Sequence, residues 1–209
     1  MYIIEQLKWR YATKKFDTHK KLPTDKLETL KEAFNLTALS YGLQTLKLVI
    51  IEDKEKREAL VGAAYGQRQV VDASHLLVLC IQSKIDEIDV DDHFSHVENI
   101  RNTPKEVLEP FKEQLKSTIG QMPELKKADW ATKQAYIALG NLMTVCALSS
   151  IDSCPMEGFN PKAFDELLNL EAHGLKSVLL LPVGYRADND TFASFKKVRK
   201  PIEKTIIEL

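Results

Sequence analysis

The sequence lacks the short motifs that identify several large enzyme classes. It contains no Gly-x-Gly-x-x-Gly, no Walker A segment and no Gly-x-Ser-x-Gly, so it predicts no Rossmann pocket, P-loop or nucleophile elbow. Only three cysteines are present, Cys80, Cys146 and Cys154, and no two of them form a Cys-x-x-Cys pair. An odd number of cysteines in apolar stretches predicts buried, reduced thiols and a cytoplasmic protein.

The chain also has little net charge and no long apolar run. Its formal net charge is -1 over 209 residues, so the overall charge gives no reason to expect nucleic acid as a partner. The uncharged stretch 135–151 contains Gly140 and Asn141 and is shorter than the roughly 20 apolar residues of a membrane span. The first residues show no basic and apolar leader pattern, which is typical of a chain that is not secreted.

Apolar periodicity predicts a single α+β domain over residues 1–209. The strand candidates are the β-branched or apolar runs Leu46–Ile51, His75–Ile81 and Ser177–Val183. Helices are predicted at 1–11, 91–120, 130–150 and Pro161–Leu168, with a break at Pro104 and a cap at Asp129 for the helix 130–150. Two further helices are predicted to begin at a capping residue, one at Thr24 or Asp25 and the other at Asp53. Because strands alternate with helices, we expect helices on both faces of a central sheet.

The apolar helix at 130–150 predicts a subunit interface. Three to five strands do not supply enough apolar surface to cover so long a helix, and the simplest partner is a second copy related by a two-fold axis. The tail, 202–209, contains Thr205, Ile206 and Ile207, which favour an extended arm.

Three separate segments carry residues suited to binding an anionic, flat ligand. Arg10–Lys14 and Lys197–Arg199 supply cations, and the planar fork of arginine matches phosphate oxygens. Pro155–Phe159 contains a glycine that permits close approach of the backbone to a ring. Taken singly, the basic segments also fit solvated helix ends, and the third also fits a plain turn between helices.

Together these segments resemble the FMN-dependent nitroreductase family. The matching stretches are RYATKKFD at 10–17, DASH at 72–75, PMEGF at 155–159, and Lys-x-Arg-x-Pro at 197–201. The resemblance is to the branch of oxygen-insensitive NAD(P)H nitroreductases and dihydropteridine reductases. It implies a nitroreductase-like α+β fold with a central, mostly antiparallel sheet. It also implies a domain-intertwined homodimer, with the arm 202–209 on the partner subunit.

The resemblance also implies which residues contact FMN. The phosphate and ribityl chain would be contacted by Arg10, Tyr11, Ala12, Lys197 and Arg199, and the pyrimidine edge by Lys14, Gln67 and Gln69. A nearby loop would contribute Leu39 and Ser40. One face of the ring would be covered by Pro155, Met156, Glu157 and Gly158, with the last two near N5. The chain departs from the family pattern at Gln69, where relatives carry a lysine, so more of the charge near the ring falls to Lys14.

The implied activity is hydride transfer from NAD(P)H through flavin N5 to an oxidised small molecule, such as a nitroaromatic, a quinone or a pteridine-like acceptor. The implied kinetic scheme is ping-pong, and no side chain need act as acid or base. Other flavin chemistry on the same scaffold, namely dehalogenation or flavin degradation, is an alternative. A cofactor-free helical interaction protein is another. No metal is expected, because His93 and His96 have no third ligand in view.

Overall fold

The computed structural model describes residues 2–209, in which four strands form one antiparallel sheet. The strands are β1 (Leu46–Ile51), β2 (His75–Gln82), β3 (Asp152–Ser153) and β4 (Leu175–Gly184), in the order β1-β2-β4-β3. The three predicted strands are confirmed to within two residues at each end. The two-residue β3 was missed because it is too short to show an alternating pattern.

Helices surround this sheet and confirm the α+β class. They are α1 (Tyr2–Trp9), α2 (Thr24–Asn35), α3 (Lys54–Leu60), α4 (Gln69–Asp72), α5 (Glu87–Arg101), α6 (Lys105–Gln121), α7 (Glu124–Leu148) and α8 (Pro161–Leu167). The predicted break at Pro104 is confirmed, because Asn102 ends α5 in the left-handed region and Pro104 directly precedes α6. Met1, part of the predicted first helix, lies outside the described residues.

Two of the predicted helix caps are wrong. Pro23 and Pro123 occupy the N-cap positions of α2 and α7 in extended conformation, without a side-chain hydrogen bond. Thr24 is therefore the first helical residue of α2, Asp25 lies in its first turn, and Asp129 lies inside α7. Proline starts these helices because its fixed φ and missing N–H suit a helix start.

The predicted cap at Asp53 is confirmed. Its carboxylate accepts a hydrogen bond from the backbone N–H of Lys56 at 2.9 Å. The first part of the tail differs from the predicted extended conformation, because Ile202–Lys204 forms a short 3-10 turn after Pro201. The backbone N–H of Lys204 closes that turn on the carbonyl of Pro201.

The central strand β2 separates two apolar cores. Residues 75–81 of β2 are all buried, as the continuous apolar run predicted. Leu77 and Leu79 face a core built with α2, α5, α6 and α7, whereas Leu76 and Val78 face a core on the side of α3, α4 and α8. The alternation of strand side chains thus places helices on both faces of the sheet.

The long helix α7 is buried along one side only. Ala131, Ala135 and Leu142 have no exposed surface, whereas Tyr136 and Ile137 on the other side are 44% and 50% exposed. Within residues 2–209, no helix has both the length and the apolar character needed to cross a bilayer. The three cysteines are free and buried, as predicted.

A buried arginine holds together the segment that leads into β2. The Arg57 side chain is on α3 and only 1% of the residue is exposed. Its guanidinium donates to the carbonyl oxygens of Val71 at 2.7 Å, Ala73 at 2.6 Å and Glu52 at 3.1 Å. These bonds join α3 to the carboxyl end of α4, where a positive charge is favourable.

We expect the substitution Arg57→Met to lower the free energy of unfolding by about 2–4 kcal/mol, because buried carbonyls lose their donor. Denaturant unfolding measures this change. Arg68→Met is the matched control, since Arg68 forms exposed ion pairs with Glu58 and Asp72, and such pairs contribute at most about 1 kcal/mol. Equal losses in the two variants would show that the buried contacts of Arg57 have no special weight.

Candidate functional site

One cavity of about 550 Å³ brings together cations from both ends of the chain. Arg10 follows α1, whereas Lys197 and Arg199 lie in the tail after β4, and all three line the cavity. The other predicted site residues at its wall are Tyr11, Ala12 and Lys14. Two of the three segments singled out in the sequence therefore meet at one place.

The wall of this cavity carries the cations Arg10, Lys197 and Arg199, here called the cation cluster. None of the described residues that line the cavity is a carboxylate. Burial and the nearby charge of Arg199 lower the pKa of Arg10, and burial and the charges of Arg10 and Arg199 lower the pKa of Lys197. The ammonium of Lys197 donates to the carbonyl of Arg10, and the buried Nε of Arg10 has no hydrogen-bond partner among residues 2–209. Such a cluster favours binding of an anion.

Asp190 shapes the loop that carries Lys14. Its Oδ2 accepts hydrogen bonds from the backbone N–H groups of Lys14 and Lys15, at 2.9 and 3.1 Å, and from the hydroxyl of Tyr11 at 2.8 Å. Burial alone would raise the pKa of Asp190, but these hydrogen bonds hold it below its usual value. The sequence analysis missed Asp190 because its partners lie about 175 positions earlier.

Arg186 also lines the cavity, but its charge is already paired. Its Nε donates to Oδ1 of the buried Asp152 at 2.7 Å, and its backbone N–H donates to Oδ2 at 2.9 Å. The guanidinium lies 4.4 Å from the ring centre of Trp9 and 4.6 Å from that of Tyr11. Arg186 therefore orders the cavity wall, and its charge is neutralised by Asp152. Sequence reasoning did not find this pair, because it forms only when β3 lies beside β4.

The third segment, Pro155–Phe159, is joined to the first through β3. The backbone N–H of Thr13 donates to the carbonyl of Ser153 at 3.2 Å. Three residues after β3 ends, Met156 exchanges two backbone hydrogen bonds with Leu180 of β4, at 2.9 and 3.0 Å. The turn at 155–159 thus continues β3 alongside β4, and the loop after α1 contacts β3 at Ser153.

The turn has buried anchors and an exposed tip. Pro155 is half-buried and Met156 and Phe159 are buried, whereas Glu157 and Gly158 are exposed. Tyr136 of α7 lies beside the Glu157 carboxylate. Burial is the larger cause that raises the pKa of Tyr136, and the negative charge of Glu157 is the second. Gly158 is therefore exposed at the tip of the turn, while its buried neighbours fix its position.

The side chain of Gln67 forms hydrogen bonds within the protein. Its side-chain amide donates to the carbonyl of Gly158 at 2.6 Å and to that of Ala64 at 3.0 Å, so both N–H groups of this amide have partners. Gln69 is the first residue of α4 and is half-buried. Of the two predicted glutamines, Gln67 holds the turn, and neither lines the cavity of the cation cluster.

Leu39 and Ser40 lie apart from the cavity. Neither lines it, and the backbone N–H of Ser40 donates to the side-chain oxygen of Gln134 on α7 at 2.8 Å. Gly42 ends this loop at a φ of 74°, and a Cβ there would lie 2.7 Å from the ring of His93. Within one chain, the structure does not join this loop to the cation cluster.

The fold thus combines a four-stranded antiparallel sheet with a cation-lined cavity between the segment after α1 and the tail. The chain belongs to the nitroreductase family of oxidoreductases, whose family model matches residues 7–185. The protein YfkO of Bacillus subtilis, provisionally named an NAD(P)H nitroreductase, is 33% identical over 195 residues, which cover 88% of each chain.

Solved structures of the same fold include proteins from two bacteria. The ydfN protein of Bacillus subtilis, provisionally described as a nitroreductase, has a TM-score of 0.87 at 21% identity, covering 99% of this chain and 98% of its own. A protein of Exiguobacterium sibiricum, provisionally described as a nitroreductase and solved in complex with FMN, has a TM-score of 0.85 at 20% identity, covering 99% and 97%. At these identities the likeness is one of fold.

Proposed function

We propose that the chain is an FMN-dependent oxidoreductase that moves hydride from NAD(P)H to an oxidised small molecule by a ping-pong scheme. The observation that carries this proposal is the cation cluster: Arg10, Lys197 and Arg199 share one cavity, whose lining residues, within 2–209, include no carboxylate. The buried Arg10 Nε, which has no hydrogen-bond partner in the described part of the chain, fits the terminal phosphate of FMN, which carries about 1.5–2 negative charges at neutral pH. The protein of Exiguobacterium sibiricum, which binds FMN, supports the choice of ligand.

The protein's part in this activity is to position the ligand and close one side of it. When bound, FMN supplies a ring that accepts and returns a hydride. In the proposal, the cation cluster holds the phosphate, Tyr11 and Ala12 border the ribityl chain, and Lys14 and Gln69 face the pyrimidine edge. The turn Pro155–Gly158 covers one face, with the backbone of Gly158 near N5. Gln67 does not contact the ligand in this proposal but positions the turn through its hydrogen bond to the Gly158 carbonyl.

The ping-pong scheme rests on a flavin ring that has only one face open to substrates in this proposal. With the turn 155–159 on one side, NAD(P)H and the acceptor would use the other side in succession. A nitroaromatic, a quinone or a pteridine-like ring is flat enough to replace a nicotinamide there. The provisional name of YfkO, an NAD(P)H nitroreductase, supports this donor and this type of acceptor.

We also propose that the protein acts as a cytoplasmic homodimer. Two helices and the tail leave large apolar side chains uncovered in the single chain: Tyr2, Ile3, Ile4 and Leu7 on α1, Tyr136 and Ile137 on α7, and Ile202, Ile206 and Ile207 in the tail. Apolar surface of this extent marks an interaction site. In such a dimer, Leu39 and Ser40 would serve the cofactor site of the partner, which accounts for their distance from the cavity.

The central test is spectroscopic. We expect the purified protein to carry a yellow flavin that NADH or NADPH bleaches without oxygen and a nitroaromatic restores. Initial rates at several acceptor concentrations should give parallel double-reciprocal lines, as expected for a ping-pong scheme. A colourless protein that gains no thermal stability from added FMN would instead favour the interaction protein, and intersecting lines would exclude the ping-pong scheme.

The phosphate assignment predicts that Arg199→Ala weakens FMN binding about 10- to 100-fold, because a charge-assisted hydrogen bond contributes roughly 1.5–3 kcal/mol. Fluorescence titration of the apoprotein measures this. Lys200→Ala is the matched control, since Lys200 is the next residue and does not line the cavity. Riboflavin, which has no phosphate, should bind both variants equally. An unchanged FMN affinity in Arg199→Ala would contradict the assignment.

For the tail, we expect removal of 202–209 to shift the protein from dimer toward monomer, because three exposed isoleucines lose their partner surface. Sedimentation velocity across a range of protein concentrations measures the shift. The full-length variant Glu203→Gln changes an exposed tail residue without removing apolar area and should remain dimeric. A full-length chain that sediments as a monomer at micromolar concentration would refute the dimer.

A further inference from the structure

The loop 39–44, here called the strained loop, lies between α2 and β1 and holds an unfavourable backbone conformation. Three of its residues have a positive φ: Tyr41 at 59°, Gly42 at 74° and Gln44 at 47°. For the two residues that carry side chains this conformation costs free energy, so it persists only where surrounding contacts impose it. The neighbours of the strained loop must therefore hold it in place.

Two hydrogen bonds hold the strained loop on either side of Gly42. The backbone N–H of Ser40 donates to the side-chain oxygen of Gln134 on α7 at 2.8 Å. The side-chain amide of Gln44 donates to the carbonyl of Asn35, the last residue of α2, at 3.0 Å. These bonds fix the loop at Ser40 and Gln44, but neither of them reaches Gly42.

Gly42 packs against the imidazole ring of His93 on α5. A Cβ at Gly42 would lie 2.7 Å from Cε1 of His93 and 3.4 Å from each ring nitrogen, so the ring occupies the space that a side chain at position 42 would need. The next residue, Phe94, is buried and packs edge-on against Phe111 of α6, with ring centres 5.7 Å apart. The ring of His93 is therefore carried by a well-packed helix and limits the conformations open to the strained loop.

The surroundings of His93 favour its neutral form. Burial, and next the charges of Arg101 and His96, lower the pKa of His93, and these effects outweigh the hydrogen bond with the Gly42 backbone, which raises it. The ring borders a cavity of about 490 Å³ whose other charged or titratable lining residues are Asp89, Asp92, His96 and Arg101 of α5 and Lys47 of β1. Because the packed ring has a lower pKa than a ring in water, acidification below about pH 6.5 favours its release from Gly42.

We propose that His93 is a positioning residue: by packing against Gly42 it fixes the strained loop, and through that loop it strengthens flavin binding at the partner's site of the dimer. The inference rests on the proposed FMN function and on the proposed dimer, in which Leu39 and Ser40 serve the cofactor site of the partner. His93 itself contacts no flavin in this arrangement. Acidification, which favours release of the ring, would loosen both the strained loop and the flavin.

The fluorescence of Trp130 reports on the strained loop without any flavin. Its ring centre lies 6.2 Å from that of Tyr41, and the substitution Trp9→Phe leaves it as the only tryptophan of the chain. In this full-length apoprotein, we expect the emission maximum of Trp130 to shift as the pH falls from about 8 to about 5.5. Adding His93→Ala should give the shifted emission at every pH. Adding His93→Phe, which keeps a flat ring that binds no proton, should give the unshifted emission throughout.

The dissociation constant of FMN, measured by fluorescence titration of the apoprotein with Trp9 intact, tests the effect on the site. At neutral pH, we expect His93→Ala to weaken FMN binding about tenfold, a loss comparable to that of one hydrogen bond. His93→Phe should bind FMN as tightly as the wild type. Toward pH 5.5 the wild type should lose more affinity than His93→Phe, because the FMN phosphate, whose second pKa is about 6, changes its charge equally for both.

His96→Ala is the matched control. His96 is exposed, lines the same cavity as His93 and forms a hydrogen bond with the Asp92 carbonyl of its own helix at 2.8 Å. We expect this variant to keep the Trp130 emission and the FMN affinity of its parent chain. An effect equal to that of His93→Ala would overturn the inference, because the cavity and not the contact with Gly42 would then be responsible.

Two further results would overturn the inference. One is a Trp130 emission that neither His93→Ala nor acid shifts, and the other is an FMN affinity that falls equally with pH in the wild type and in His93→Phe. The wild-type pH profile and the phenylalanine variant decide the matter even if His93→Ala does not fold. If the wild type binds no FMN, the proposed function fails, while the Trp130 emission still decides whether His93 fixes the strained loop.

Discussion

Repulsion among like charges is the constraint on which the candidate site depends. Arg10, Lys197 and Arg199 share a cavity wall in which the described residues include no carboxylate, so the rest of the fold must hold them together. The backbone bond from Thr13 to Ser153 fixes the loop after α1, and the Lys197–Arg10 contact fixes the tail. The positive potential of the cavity is therefore maintained by hydrogen bonds at its edges, and an anion inside it would relieve the repulsion.

Carboxylates near the cavity order the protein instead of meeting a ligand. Asp190 accepts bonds from Tyr11, Lys14 and Lys15, and Asp152 neutralises Arg186. Each negative charge is turned toward protein donors behind the cavity wall. Because the acidic groups are satisfied there, the arrangement separates ordering of the loops from binding of the ligand, and both can occur at the same edge of the sheet.

The sequence predicted much of the fold, because the strands are strongly patterned. The run from His75 to Ile81 has the composition of a strand buried on both faces, and the structure shows that burial. The caps of α2 and α7 were predicted wrongly, because proline at the N-cap competes with nearby Thr24 and Asp129 as a start signal. For the site, residues within short motifs were visible, whereas Asp190 and Arg186 act on partners far away in sequence and had no local signal.

The contact between Lys197 and the Arg10 carbonyl spans 187 positions of the chain. A ligand held by both residues would therefore act as a reversible cross-link across nearly the whole polypeptide. In the unfolded chain, bringing two such distant residues together has a large entropic cost, and a ligand that binds only the folded form shifts the equilibrium toward it. A bound anion would thus resist unfolding of the entire domain as one cooperative unit.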